Sequence, residues 1–213
     1  MTPEVEDAPP TGRMSAEARR EQVLEAAKQV VAESGFAATT IEAVARRAGI
    51  TRPIVYARFG DLEGLLDALV ERAGEKALTD LARVMPSDVE PDGAYDALLR
   101  AFAAYLDVAS ADPQTWALLL SPPAGAPASL AERIEIGRSA VIAQLAGAFG
   151  GERLGVLGEP FDAELLARTL SASADAAARL LITDPVAYDK ERIMRFAAWI
   201  LEPLASKGGE ALR

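Results

Sequence analysis

The sequence predicts an all-α protein, and three observations carry that prediction. Ala, Leu, Glu and Arg, all good helix formers, dominate the 213 residues. The runs of β-branched and aromatic residues that mark strands are missing. Pro and Gly fall at intervals, as punctuation between helical patterns. That punctuation divides the chain into about nine helices, with no internal repeat, heptad array or low-complexity tract.

Residues 1–13 open on MTPEVEDAPPTG, acidic and Pro-rich, and are expected to form a disordered arm. The first helix spans 16–34, with Val23, Leu24, Ala27, Val30 and Val31 on its apolar face. Gly35 ends it, where a left-handed residue costs glycine nothing, and Phe36 folds back onto that face. The second helix spans 40–48. Thr39 and Glu42 have the spacing of a capping box at its start, while Ile41, Val44, Ala45 and Ala48 share one face. Gly49 stops it. The third helix spans 52–58, capped by Thr51, with Pro53 in the first turn where its missing N–H costs no bond. The patterns 62–84, 93–109, 113–120, 127–149, 162–182 and 188–205 complete the set. The Pro/Gly-rich stretches SPPAGAPAS and GGERLGVLGEP read as surface loops between them.

Composition removes many functions. There is no cysteine and no histidine, so disulfides, thiolate or imidazole metal sites and the Ser-His-Asp and Cys-His nucleophile arrangements are excluded. No metal, cofactor or catalytic role is expected. No apolar run approaches the roughly 18 residues of a membrane span, and the acidic start is unlike a signal peptide, which implies a cytoplasmic protein. The net charge of -10 is unevenly spread: residues 1–12 carry three acids and no base, 13–76 carry ten of each, and 77–213 carry twelve bases and nineteen acids. The segment around the short helices is therefore neutral, and the acidity sits elsewhere.

Two short helices joined by a glycine-containing turn make a helix-turn-helix, whose second helix enters the DNA major groove. Val55 and Phe59, four apart, pack inward and leave Arg52, Pro53, Ile54, Tyr56, Ala57 and Arg58 on the outside or at the leading end. Arg52 has the reach and donors for guanine O6 and N7, and Pro53 and Ile54 suit thymine methyls. Thr39 or Thr40, Arg46, Thr51, Tyr56 and Arg58 suit phosphates. The competing reading is a helical hairpin whose charges are simply solvated.

The order Gly35-Phe36, Thr39-Thr40, Val44-Ala45, Ala48-Gly49-Ile50-Thr51, Tyr56, Phe59 and Glu63-Gly64-Leu65-Leu66 resembles the TetR family of transcriptional regulators, over about residues 16–70. Two departures stand out. The family usually has a lysine at the start of the fourth helix to hold a phosphate, and here that position is Leu62. Glu42 occupies a place on the second helix where a basic or polar residue is common, and a carboxylate there repels phosphate unless it is committed to capping; Arg46, Arg47 and Arg58 can compensate.

The resemblance implies a DNA-binding domain over 14–61, a ligand-binding and dimerisation domain over 62–213, and a repressor that binds a pseudo-palindromic double-stranded operator as a homodimer. It further implies release by a small molecule, which the scarcity of basic residues in the apolar helices makes mainly apolar. By family analogy Phe102, Tyr105, Trp116 and Leu119, with Tyr95, Leu98 and Phe149 nearby, surround a pocket, although aromatics at helical spacing also simply pack. Arg138, the one charge in a mostly apolar stretch, either orients an anionic group or forms a surface ion pair. Leu166, Leu170, Ala174, Ala177 and Leu181, with Ile193, Phe196 and Ile200, make stripes suited to a four-helix dimer interface, or else finish the subunit core. Acidic pairs such as Asp88 with Glu90 and Asp189 with Glu191 read as helix-end charges. The alternative to a repressor is a helical small-molecule or partner-binding protein that has kept the fold but lost operator binding, as the neutral DNA-binding segment, Leu62 and Glu42 would allow.

Overall fold

The computed structural model describes residues 14–84, 94–149 and 162–208. Among them are α1 (Ala16–Ser34), α2 (Ile41–Ala48), α3 (Arg52–Phe59), α4 (Leu62–Val84), α5 (Ala94–Ala111), α6 (Pro113–Leu120), α7 (Ala128–Phe149), α8 (Ala163–Thr183) and α9 (Lys190–Gly208). The expected arm 1–13, the Asp88 and Glu90 pair and the GGERLGVLGEP stretch lie outside the described residues, as does the side chain of Phe149.

Local chemistry sets the boundaries. The Ser15 side chain accepts from the Ala18 N–H at 3.0 Å and starts α1. Gly49, at φ 65°, ends α2 in the left-handed region that favours glycine. Asp61 accepts from the Gly64 N–H at 2.8 Å and starts α4. Gly64 itself is required by a close approach, since a Cβ there would lie 2.3 Å from the Phe59 carbonyl oxygen. Asp112 and Asp162 cap α6 and α8 through the N–H groups of Thr115 and Leu165. Asp189 accepts from the Arg192 N–H at the start of α9, as its reading as a helix-end charge requires.

Two caps differ from the sequence expectation. Thr40, not Thr39, is the N-cap of α2 and accepts from the Ala43 N–H at 3.1 Å. Thr39 is drawn the other way: its hydroxyl donates to the Gly35 carbonyl at 2.8 Å and the residue is buried. The Thr39 and Glu42 capping box therefore does not form. Thr51 occupies the N-cap position of α3 in extended backbone, yet its side chain makes no capping bond. The donors it would meet are gone, because Pro53 has no N–H and the Ile54 N–H is taken by the Thr51 carbonyl at 3.0 Å.

The apolar interior forms three clusters. The first joins α1 to α4 through Val23, Leu24, Val31, Val44, Val55, Leu65 and Leu69, and recruits Leu118 of α6 and Leu130 of α7. The second gathers Ala77, Tyr105, Leu106, Trp116, Ala178, Leu181 and Ile193 from α4, α5, α6, α8 and α9. The third joins Leu98, Ile142, Leu145, Ala167 and Leu201 from α5, α7, α8 and α9. Helix α6 thus places Leu118 in the first cluster and Trp116 and Leu120 in the second.

A buried ion pair reinforces that joint. Lys28 of α1 is 7% exposed, and its Nζ lies 3.3 Å from Asp112 and 3.1 Å from Glu25. Burial works against the charge of Asp112, but the Thr115 hydroxyl and N–H together with the Lys28 ammonium outweigh it and hold the carboxyl below its ordinary range.

Candidate nucleic-acid interface and sensor cluster

Helix α3 buries one residue fully, Val55, with Phe59 partly buried behind it, so the helix stands on the N-terminal core by one edge. Arg52, Pro53, Ile54, Tyr56, Ala57 and Arg58 all face outward. Ile54 and Tyr56 are 38% and 50% exposed, large apolar surfaces left in water at the leading end of a short helix. Thr40 and Thr51 are exposed at the starts of α2 and α3, so their hydroxyls edge the same face. Thr39 does not belong with them: it is 2% exposed and its hydroxyl is committed to the turn, which makes it a holder of the α1–α2 connection.

The cations of the motif divide into three kinds. Arg47 is bound to α1, donating to Glu33 at 2.9 Å and to Gln29 at 3.3 Å. The same hydrogen bond holds the Glu33 carboxyl below its usual range. Arg47 therefore fastens α2 to α1 and is not available to compensate elsewhere. Arg52 lies beside Glu42, with Nη1 and Oε2 3.7 Å apart. Arg46 and Arg58 are exposed and make no ion pair among the described residues. Sequence spacing placed Arg46, Arg47, Arg52 and Arg58 on α2 and α3, but their partners come from tertiary packing, which spacing does not reveal.

In the C-terminal region the structure brings four of the five expected ligand residues into one cluster. Tyr105 and Trp116 meet edge to face with centroids 5.3 Å apart, and Phe102 and Leu119 pack against the same cluster. Arg138 reaches its polar edge, bonding Asp175 at 3.2 Å, and Asp175 also accepts from the Tyr105 hydroxyl at 3.0 Å. Burial, then the Asp175 charge, pushes the Tyr105 phenol far above its usual range. Arg138 is thus part of an intrachain ion pair. The Trp116 indole N–H is buried and makes no hydrogen bond among the described residues. An open cleft of about 530 Å³ lies away from this cluster, at the joint between Leu62, Leu66 and Asp67 of α4 and Pro127 and Ser129 before and within α7.

The stripe expected on α8 and α9 divides by burial. Leu181 and Ile193 are 8% exposed in the second cluster, Ala174 and Ala177 pack against it, and Leu166 and Leu170 pack against the third. Leu181 and Ile193 are thus buried within the subunit, while the other four are partly buried and touch a core cluster along one side. Exposed apolar residues lie one position away on α8, at Leu165 and Leu180, and on α9 at Phe196, Trp199 and Ile200, which are 60%, 68% and 52% exposed. Phe196 and Ile200 therefore keep their place in the expected stripe. Trp199, stacked on Phe196 at 5.9 Å, was missed, though its spacing of three from Phe196 carries the signal.

Comparison with known proteins agrees with this architecture. Residues 23–69 match the family model described as bacterial regulatory proteins, tetR family. The HTH-type transcriptional regulator AlkX of Mycobacterium tuberculosis is 29% identical over 100 residues, 47% of this chain and 46% of AlkX. The match thus spans under half the length of that curated relative. The crystal structure of a TetR-like transcriptional regulator from Rhodococcus sp. RHA1 superposes with a TM-score of 0.69 at 26% identity, covering 92% of this chain and 98% of that one. SmeT, the repressor of the Stenotrophomonas maltophilia multidrug efflux pump SmeDEF, superposes with a TM-score of 0.65 at 26% identity over 88% of this chain and 89% of SmeT. SmeT is also known as a triclosan complex. No helix among the described residues is long and apolar enough to cross a membrane. A helix-turn-helix with an outward third helix, a match to the tetR family model across residues 23–69 and a shared fold beyond it make this chain similar to the bacterial regulatory proteins of the tetR family.

Proposed function

We propose that the chain is a homodimeric repressor that reads a pseudo-palindromic operator with α3 and is released by a mainly apolar small molecule. The observation that carries the DNA reading is the leading end of α3, where Arg52, Ile54 and Tyr56 stand exposed around a single buried anchor, Val55. Such a surface costs apolar hydration in the free protein and fits a groove that offers guanine acceptors and thymine methyls. Thr40, Arg46, Thr51 and Arg58 flank it as phosphate contacts, and Pro53 adds a rigid apolar edge. The apolar face on α8 and α9 supports a two-fold dimer, because paired half-sites require paired reading helices. The aromatic cluster around Trp116 supports the sensor role, as does the triclosan complex of SmeT. Helix α6 supplies a route between sensor and reader, since it lies in both cores.

Selection of bound duplexes from a random pool tests the reading. The expected result is a two-fold symmetric site, with Arg52→Ala relaxing preference at one position per half-site and costing about 1–3 kcal/mol. Recovery of no preferred sequence at any salt concentration would favour a binding protein without an operator.

A further inference from the structure

Glu42 is the one acid on the proposed reading surface whose place needs a reason. It is not part of a capping box, since Thr40 caps α2, and a carboxylate facing DNA repels phosphates. Its side chain is 68% exposed and lies beside that of Arg52, which is 63% exposed, with Oε2 and Nη1 3.7 Å apart. The contact crosses the helix-turn-helix from α2 to the first residue of α3.

A guanidinium carries five donors in a fixed fork. Glu42 meets the Nη1 end, and the Nε and Nη2 edge of Arg52 makes no hydrogen bond or ion pair among the described residues. Guanine offers two acceptors side by side, O6 and N7, and is the base that a fork edge matches in bidentate fashion. An untethered arginine at the front of α3 swings with equal ease toward phosphates, which gives affinity without sequence information.

We propose that Glu42 is a positioning residue for guanine readout, holding Arg52 by one end of its guanidinium so that the opposite edge is presented to O6 and N7. The inference rests on the operator reading above. It turns an unfavourable charge into a source of specificity: the carboxylate weakens binding to DNA in general and favours the orientation that one base satisfies. An exposed pair of this kind contributes little to fold stability, so its removal is expected to leave the melting temperature nearly unchanged.

The test uses the operator selected by the wild-type chain, the position whose preference Arg52→Ala relaxes, and a duplex in which that G·C pair is A·T in both half-sites. An unrelated duplex reports general affinity. Glu42→Ala is expected to lower the preference for G·C over A·T by about threefold to tenfold while tightening binding to the unrelated duplex. Glu42→Gln, which keeps the shape and loses the charge, is expected to lose the preference as Glu42→Ala does, because the 3.7 Å contact is an ion pair and not a hydrogen bond. Equal tightening on all three duplexes would make Glu42 a repelling charge only and overturn the proposal. So would a Glu42→Gln chain that keeps the wild-type preference, or an Arg52 position that does not select guanine. A wild-type chain that selects no sequence rejects the operator reading itself, and this proposal with it.

Discussion

The N-terminal region and the C-terminal region are both helical, but they finish their surfaces differently. Apart from Ile54 and Tyr56 of α3 and Leu78 of α4, the large apolar residues of α1 to α4 close over one another: Val23, Leu24, Val44, Val55 and Leu65 are fully buried in a single cluster. In α5 to α9 the interior is split between clusters, and Phe196, Trp199 and Ile200 are left in water on α9. A contiguous exposed apolar face of that kind marks an interaction surface. The N-terminal core is thus closed by α1 to α4 with residues from α6 and α7, whereas the C-terminal region leaves an apolar face of α9 in water.

The sharpest way to break this contrast is to put charge on the exposed face. Trp199→Glu should leave the N-terminal fold intact and yield the mass of one chain in light scattering. Operator affinity should fall on the order of a hundredfold as the paired half-sites lose their linkage. If the wild-type chain already has the mass of one chain at micromolar concentration, the α8–α9 face is not a dimer interface.

A smaller effect is expected at the joint between the regions. Asp112→Ala removes the α6 cap and a partner of the buried Lys28, and should cost about 2 kcal/mol in denaturant unfolding. Asp112→Asn keeps an acceptor for the cap and should cost less. Because the folded-state carboxyl is held below its ordinary range, its contribution is present above the ordinary aspartate pKa and is lost as pH falls through the depressed value. The acid side of the stability profile should therefore be shallower in Asp112→Asn than in wild type.

The smallest effect concerns Leu62. It packs against the N-terminal cluster and lines the cleft before α7, so it has a structural use in place of the family's lysine. Leu62→Lys should cost about 1 kcal/mol of stability. It should also steepen the salt dependence of operator binding by about one unit, with all sequences tightened alike. An unchanged slope would show that the start of α4 does not approach a phosphate.

What the sequence reveals follows the same divide. In the N-terminal region the short helices are bounded by chemistry read locally, in Gly35, Gly49 and Pro53, and the helix-turn-helix is legible to within a residue or two. The error there is instructive: two consecutive threonines both suit a cap, and the choice is made by the Gly35 carbonyl, which takes the Thr39 hydroxyl. On α8 both faces carry Leu and Ala, so a pattern of small and apolar residues leaves Leu165 and Leu166, or Leu180 and Leu181, indistinguishable. Only the packing of α7 and α5 decides which one faces inward. Lys28 shows a third kind of illegibility. Its partner Asp112 is 84 residues away, and no local rule connects them.

Helix α6 has a consequence for how the chain is made. The core of the reader includes Leu118 and Leu130, 3% and 1% exposed, from a part of the sequence that follows the whole helix-turn-helix by about two further helices. During vectorial synthesis, at about 5–20 residues per second, the nascent reader waits several seconds with part of its apolar surface uncovered. A truncated gene ending at α4 would leave that surface uncovered permanently. The N-terminal helices are encoded first and completed late, so their solubility in the cell depends on residues that belong to the C-terminal region.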